Sequence, residues 1–164
     1  MMNIRDNKGI TLMAEVITII LLLLIVSIIT YSSMSSLQVR NLNDMYADIV
    51  NIQDKAANYY LKYGKAPVTT TQVPGTVISA MSDELNPNDD GNYYVVNLSN
   101  LNNISLNNKQ TDENYYFINN KTLTVYYSKG VKVDKLNNIG EKTYHTLPSN
   151  YEGIEKLEVG SYQN

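Results

Sequence analysis

The residue types most often used in catalysis are scarce in this chain of 164 residues. It contains one histidine, His145, and no cysteine, which excludes thiolate nucleophiles, disulfides and cysteine-ligated metals. The sequence has no Gly-x-x-x-x-Gly-Lys-Ser/Thr phosphate loop and no His-Glu-x-x-His zinc motif. A lone imidazole without partner groups is not a site. The sequence therefore predicts a protein that is not an enzyme and that uses no cofactor.

One segment has the oxygen-rich spacing of a cation loop. Residues 86–91 read Asn-Pro-Asn-Asp-Asp-Gly, with oxygen-bearing side chains at alternate positions before a glycine, as in an EF-hand. An EF-hand is excluded because its twelfth position, which needs a bidentate Glu, is Asn97. Asp89 and Asp90 are left as calcium candidates, and a polar turn without a metal is the preferred interpretation.

Four pairs of adjacent tyrosines could form a platform that stacks against sugars or bases. The pair at 59–60 falls on a predicted helix, and those at 93–94, 115–116 and 126–127 fall on predicted strands. Neighbouring residues of a strand point to opposite faces. Each strand pair is therefore expected to supply one core tyrosine and one surface tyrosine.

The most apolar part of the chain is residues 10–31, where Glu15 is the only charged residue. As a helix, about 20 residues cover roughly 30 Å, the thickness of a bilayer's hydrocarbon core. Arg5 and Lys8 precede the run, so the positive-inside bias predicts a single-pass helix with a cytoplasmic N-terminus and the rest of the chain outside. A signal peptide cleaved near residues 33–35 and a plain uncleaved anchor are the alternatives.

The start of the apolar run carries a family resemblance. Residues 8–15 read Lys-Gly-Ile-Thr-Leu-Met-Ala-Glu, and the apolar stretch continues from there. This segment resembles the N-terminus of type IV pilin-like prepilins, a superfamily that includes the type II secretion pseudopilins. The resemblance implies cleavage by a prepilin peptidase after Gly9 and methylation of the new N-terminal residue, Ile10. It also implies assembly with other pilin-like subunits through the N-terminal helix.

Glu15 departs from the pattern of this family. The family's glutamate is the fifth residue after the cut, whereas here Ala14 is fifth and Glu15 is sixth. One residue is about 100° of rotation on a helix, so Glu15 projects from a different side. By resemblance, this carboxylate pairs with the methylated amine of a neighbour, and Glu15 is a candidate registering residue of a minor or atypical subunit. The alternative is that Glu15 only reaches the lipid headgroups.

Apolar periodicity continues after the membrane run and predicts an amphipathic helix over residues 32–63. Its apolar positions recur at intervals of three or four residues or their multiples, and Gly64 and Pro67 then stop the helix. We expect this second half of the helix to lie on the sheet of the same subunit. The apolar positions are Leu37, Met45, Ile49, Ile52, Ala56, Tyr59 and Tyr63.

The remainder is predicted to be rich in β structure. Residues 66–91 indicate a connector with one short helix between Gly75 and Pro87. Residues 119–121 predict a tight hairpin turn, and the alternation in residues 122–126 predicts an antiparallel sheet with one wet face. The predicted strands are Tyr93 to Leu98, Tyr115 to Ile118, Leu123 to Ser128, Val131 to Val133 and Thr143 to Leu147.

The fold class that follows is α+β, with a long N-terminal helix on a C-terminal antiparallel sheet. The regions are a prepilin leader (1–9), a transmembrane helix (10–31), its amphipathic continuation (32–63) and an exocytoplasmic β-rich domain (64–164). The expected function is a structural subunit of a type IV pilus-like or pseudopilus filament in the cell membrane. Its expected partners are prepilin peptidase, other pilin-like subunits and membrane lipid; the 13 basic and 16 acidic residues disfavour nucleic acid. The alternative is a single-span, membrane-anchored binding or sensory protein.

Overall fold

The computed structural model describes residues 4–134 and 141–148, with side chains described for 15–27, 36–134 and 141–148. The chain divides into two compact units, Met1–Leu37 and Gln38–Asn164. Helix α1 (Ile4–Tyr63) supplies residues to both units. Within the residues described, no helix combines the length and the hydropathy that a membrane span needs. Of the predicted span 10–31, residues 10–14 and 28–31 are outside the ranges whose side chains the structure describes.

The helix stop predicted after Tyr63 is confirmed. Gly64 adopts a φ of +67°, which favours glycine, and its N–H donates a 2.7 Å hydrogen bond to the carbonyl of Tyr60. The predicted amphipathic stripe is also present, although its two end members, Leu37 and Tyr63, are more than half exposed. The buried residues of α1 recur at helical spacing and are Val39, Leu42, Met45, Tyr46, Asp48, Ile49, Ile52 and Ala56.

The predicted antiparallel sheet is confirmed and has four strands in the order β1-β2-β3-β4. A separate two-stranded sheet pairs β5 with β6. The strands are β1 (Val68–Gln72), β2 (Tyr93–Val96), β3 (Tyr116–Asn119), β4 (Val125–Tyr127), β5 (Val131–Val133) and β6 (Lys142–Tyr144). A short helix, α2 (Gly75–Ala80), and two 3-10 turns (Ser82–Glu84 and Leu98–Asn100) complete the described elements. A turn joins β3 to β4 as predicted, but it lies later than the expected 119–121: Asn119 is the last residue of β3, and the connection runs over residues 120–124.

The expectation that one face of the sheet is wet is wrong. The second half of α1 packs on one face, where its Ile49 and Ile52 join Ile118 and Val125 in a buried cluster. The other face carries a second buried cluster, made of Val73, Met81, Tyr93, Phe117 and Tyr126. The connector supplies this cover because it folds back along the sheet. The fold therefore has three layers: the helix, the sheet and the connector.

The burial of one tyrosine pair and the extent of the sheet also differ from the expectations. Tyr126 and Tyr127 are both buried, contrary to the expected division into core and surface, because both faces of β4 are covered. Strand β1 lies in the segment predicted to be only a connector, and its sequence Val-Thr-Thr-Thr-Gln has an exposed outer half without apolar alternation. Its pairing with β2 is irregular, so the strand depends on tertiary contacts rather than on a local pattern.

Candidate functional site

Residues 15–27 of α1 form a largely apolar helical surface, in which Glu15, Thr18 and Ser27 are the polar residues. Every residue in this range is exposed, and the large apolar side chains range from 49% exposed at Val16 to 63% at Leu23. Residues 21–24 are four consecutive leucines, all exposed, and at about 100° per residue they face every side of the helix. A helix that is apolar all round needs an apolar environment, either lipid or other protein chains. This range is the candidate site for insertion or assembly.

The same range also contains polar side chains, which differ in whether the helix itself satisfies them. Ser27 Oγ donates a 2.7 Å hydrogen bond to the carbonyl of Leu23, so its hydroxyl is satisfied within the helix. Glu15 is exposed at the start of the apolar surface, where its carboxylate is accessible to a partner. Gly9 and Ile10, at the predicted cleavage position, lie outside the residues whose burial the structure describes, and processing stays a prediction.

The structure brings Asp89 to two buried tyrosines of the sheet. Its Oδ2 accepts hydrogen bonds from the hydroxyls of Tyr126 (2.7 Å) and Tyr93 (3.1 Å). Its Oδ1 accepts from the hydroxyl of Thr122 in the β3–β4 turn. Burial, reinforced by the charge of Asp89, raises the pKa of Tyr93 to about 12. Asp89 therefore joins the connector to the covered face of the sheet.

Asp90 turns towards the same hairpin. Its Oδ1 accepts hydrogen bonds of 3.0 Å from the backbone N–H of Asn92 and from the side-chain amide of Asn119. The hydrogen bonds that Asn92 donates stabilise the ionised carboxylate and lower the pKa of Asp90. In the part of the chain that the structure describes, no three histidine, cysteine or acidic side chains converge as metal ligands would. The hydrogen bonds of Asp89 and Asp90 therefore join the loop at residues 86–91 to the β3–β4 hairpin.

A buried carboxylate that the sequence analysis missed lies on the sheet-facing side of α1. Asp48 is 1% exposed, and it accepts five hydrogen bonds from Asn107, Asn108 and Tyr116. The backbone N–H groups of Asn107 and Asn108 donate at 2.7 and 2.8 Å, their side-chain amides at 3.1 and 3.0 Å, and the Tyr116 hydroxyl at 2.8 Å. Burial raises the pKa of Tyr116, and the hydrogen bond to the Asp48 carboxylate raises it further. The available signal was an acidic residue three positions after Met45, within the apolar stripe.

His145 belongs to a joint between β6, β4 and the 3-10 turn at Ser82–Glu84. Its backbone N–H donates to Oε2 of Glu84 at 2.7 Å, and its Nδ1 lies 3.6 Å from Oε1. Its carbonyl accepts from the N–H of Tyr127 at 2.7 Å. The ring packs against Gly130, where an added Cβ would lie 2.7 Å from the imidazole. Burial works against ionisation of Glu84, but the His145 side chain and N–H outweigh it and hold the pKa of Glu84 below its usual value.

These clusters share one chemistry. In each, a carboxylate accepts hydrogen bonds from hydroxyl, amide or backbone N–H groups of a distant segment, an arrangement that holds loops in place.

The chain matches no protein-family model, no curated protein and no solved structure.

Proposed function

We propose that the protein is a structural, non-enzymatic subunit of a type IV pilus-like or pseudopilus filament. The observation that carries the proposal is the apolar surface at residues 15–27, exposed on all sides of α1. Burying each large aliphatic side chain there, relative to leaving it in water, would contribute about 1.5–3 kcal/mol of free energy. Lipid before assembly and neighbouring helices after it would both supply this cover. The prepilin-like sequence around Gly9 supports the same conclusion.

The proposed sequence of events uses the two parts of α1 differently. The leader is removed after Gly9, Ile10 becomes the methylated N-terminus, and residues 10–31 hold the subunit in the membrane with the later residues outside. Transfer of this segment from lipid into a bundle of identical helices exchanges one apolar environment for another, so it costs little. The second half of α1 is already buried against the sheet of its own subunit. It therefore stays with that unit as the filament grows.

Processing tests this proposal directly. The full chain is co-expressed with a prepilin peptidase, and membrane fractions are analysed by intact mass spectrometry. We expect the parent to lose residues 1–9 and to gain a methyl group on Ile10. Gly9→Ala should reduce cleavage strongly. Gly75→Ala is the matched control, because a Cβ at Gly75 meets nothing within 4 Å, and it should be cleaved like the parent.

Assembly is then measured in the material sheared from cell surfaces. The processed parent should appear there as polymer, and the uncleaved variant should stay in the membrane. An intact start at Met1, or a start near Ser36, would contradict the proposal. Parent protein that is retained in the membrane as an uncleaved monomer would support the single-span binding or sensory protein instead.

A further inference from the structure

A groove of about 550 Å³ lies beside the last turns of α1. Its walls come from α1 residues 55–63 and from segment 99–102. Buried Leu101 fixes the second wall in the core, and Lys55 Nζ joins the two walls by donating a 2.7 Å hydrogen bond to the carbonyl of Asn102. The volume lies within the range of roughly 300–1,000 Å³ that is typical of small-molecule sites. The groove is therefore large enough for a ligand and has a fixed wall.

The groove is basic although the chain as a whole is acidic. Lys55 and Lys62 line it, and its lining contains no acidic residue. The wall residues 55–63 and 99–102 include these two lysines and no Asp or Glu, whereas the whole chain has a net charge of −3. Among the side chains described, neither Lys55 nor Lys62 forms an ion pair with a carboxylate. This local charge attracts an anion.

The uncharged lining favours a ligand that has both hydroxyl groups and an apolar face. The rings of Tyr59 and Tyr63 lie 4.5 Å apart between centroids and are tilted by 41°. Lys62 Nζ lies 5.1 Å from the centroid of the Tyr63 ring, so an aromatic surface and a positive charge are adjacent. Amides and a hydroxyl, which both donate and accept hydrogen bonds, complete the lining: Asn58, Ser99, Asn100 and Asn102.

We propose that this groove binds a carboxylated sugar, a uronic acid unit of an acidic polysaccharide. The tyrosine rings would pack against the C–H face of the sugar, and the amides would pair with its hydroxyls. Lys55 and Lys62 are two helical turns apart, about 10 Å along the axis, so they would contact carboxylates of different units of an oligomer. Nucleic acid is disfavoured because its dense phosphates need more positive charge than this acidic chain carries. The proposal does not depend on filament assembly.

Calorimetric titration of the full chain in non-ionic detergent tests the assignment. Trigalacturonate is the probe, and maltotriose is its uncharged counterpart. We expect trigalacturonate to bind and maltotriose to bind at least tenfold more weakly. Lys62→Gln should weaken trigalacturonate binding roughly tenfold, the effect of losing one charge-assisted hydrogen bond. Lys121→Gln removes an exposed lysine in the β3–β4 turn and should leave the affinity unchanged.

A second variant keeps the test independent of charge and of folding. Tyr63→Leu preserves both lysines at an exposed position, so its melting temperature should match the parent while its affinity for trigalacturonate falls several-fold. The proposal is overturned if trigalacturonate does not bind the parent, if maltotriose binds equally well, or if Lys121→Gln weakens binding as much as Lys62→Gln. A thymidine oligonucleotide that displaces trigalacturonate at lower concentration would instead assign the groove to nucleic acid.

Discussion

Asp48 of α1 and Tyr116 of β3 are joined by a 2.8 Å hydrogen bond between two buried side chains that are 68 positions apart in sequence. The same carboxylate also receives the backbone and side-chain amides of Asn107 and Asn108. One side chain therefore ties the helix to the central part of the sheet and to the loop before it. Because its five donors are neutral, the site depends on a full set of hydrogen bonds rather than on an opposite charge.

Asp48→Asn should destabilise the fold by about 2–4 kcal/mol, because the new amide would face donors that then lack an acceptor. Urea unfolding followed by circular dichroism measures the loss. Asp54→Asn, an exposed position on the same helix, is the matched control and should change stability by less than about 0.5 kcal/mol. Equal unfolding midpoints for the two variants would show that the buried network contributes little.

Ile52→Asp should prevent stable folding of the sheet unit. Ile52 is fully buried between α1 and the sheet, and an unpaired carboxylate there loses both its hydration and the packing of the isoleucine, at a cost of several kcal/mol. Loss of the cooperative thermal transition is the expected observation. Ala57→Asp, which places the same group on the exposed side of α1, should melt near the parent temperature. A cooperative parent-like transition in Ile52→Asp would contradict the observed packing.

The free energy of unfolding should decrease at acidic pH, in part because Glu84 becomes protonated. Its pKa is held below the usual 4.5, so the ionised form is favoured more in the folded chain than in the unfolded chain. This contribution is present above about pH 4.5 and is lost as the pH falls through the lower, folded-state pKa. Urea midpoints between pH 3 and 7 should fall less steeply at the acid end in Glu84→Gln. Identical slopes for the parent and Glu84→Gln would argue against the prediction.

Glu15 is predicted to act in assembly and not in folding. If it pairs with the terminal amine of a neighbour, Glu15→Gln should leave insertion and processing unchanged but lower the yield of sheared filaments, because the amine loses its partner in an apolar setting. The double change Ala14→Glu/Glu15→Ala restores the spacing of the resembled family and should match or exceed the parent yield. Equal yields from all three proteins would mean that Glu15 only reaches the headgroups.

The sequence by itself determined the elements whose signals are local. The stop of α1 follows from Gly64, which accepts a left-handed conformation, and the helical stripe around Ile49 and Ile52 follows from spacing alone. The β3–β4 turn follows from the Asn-Asn-Lys run at residues 119–121. In each case the residues that decide the conformation lie within a few positions of one another, so their pattern can be read without knowing what they contact.

Only the tertiary structure decided what covers the second face of the sheet and where the buried polar groups find partners. The connector is mostly polar, so its sequence does not indicate that a few of its apolar residues, such as Val73 and Met81, pack against the sheet. This cover buries Tyr126, whereas Tyr127 is buried on the opposite face, in the cluster with α1. Asp48 and His145 likewise depend on partners 68 and 61 positions away. Such pairs form because folding brings distant segments together, and a carboxylate that will be buried among donors looks in sequence like one that will face water.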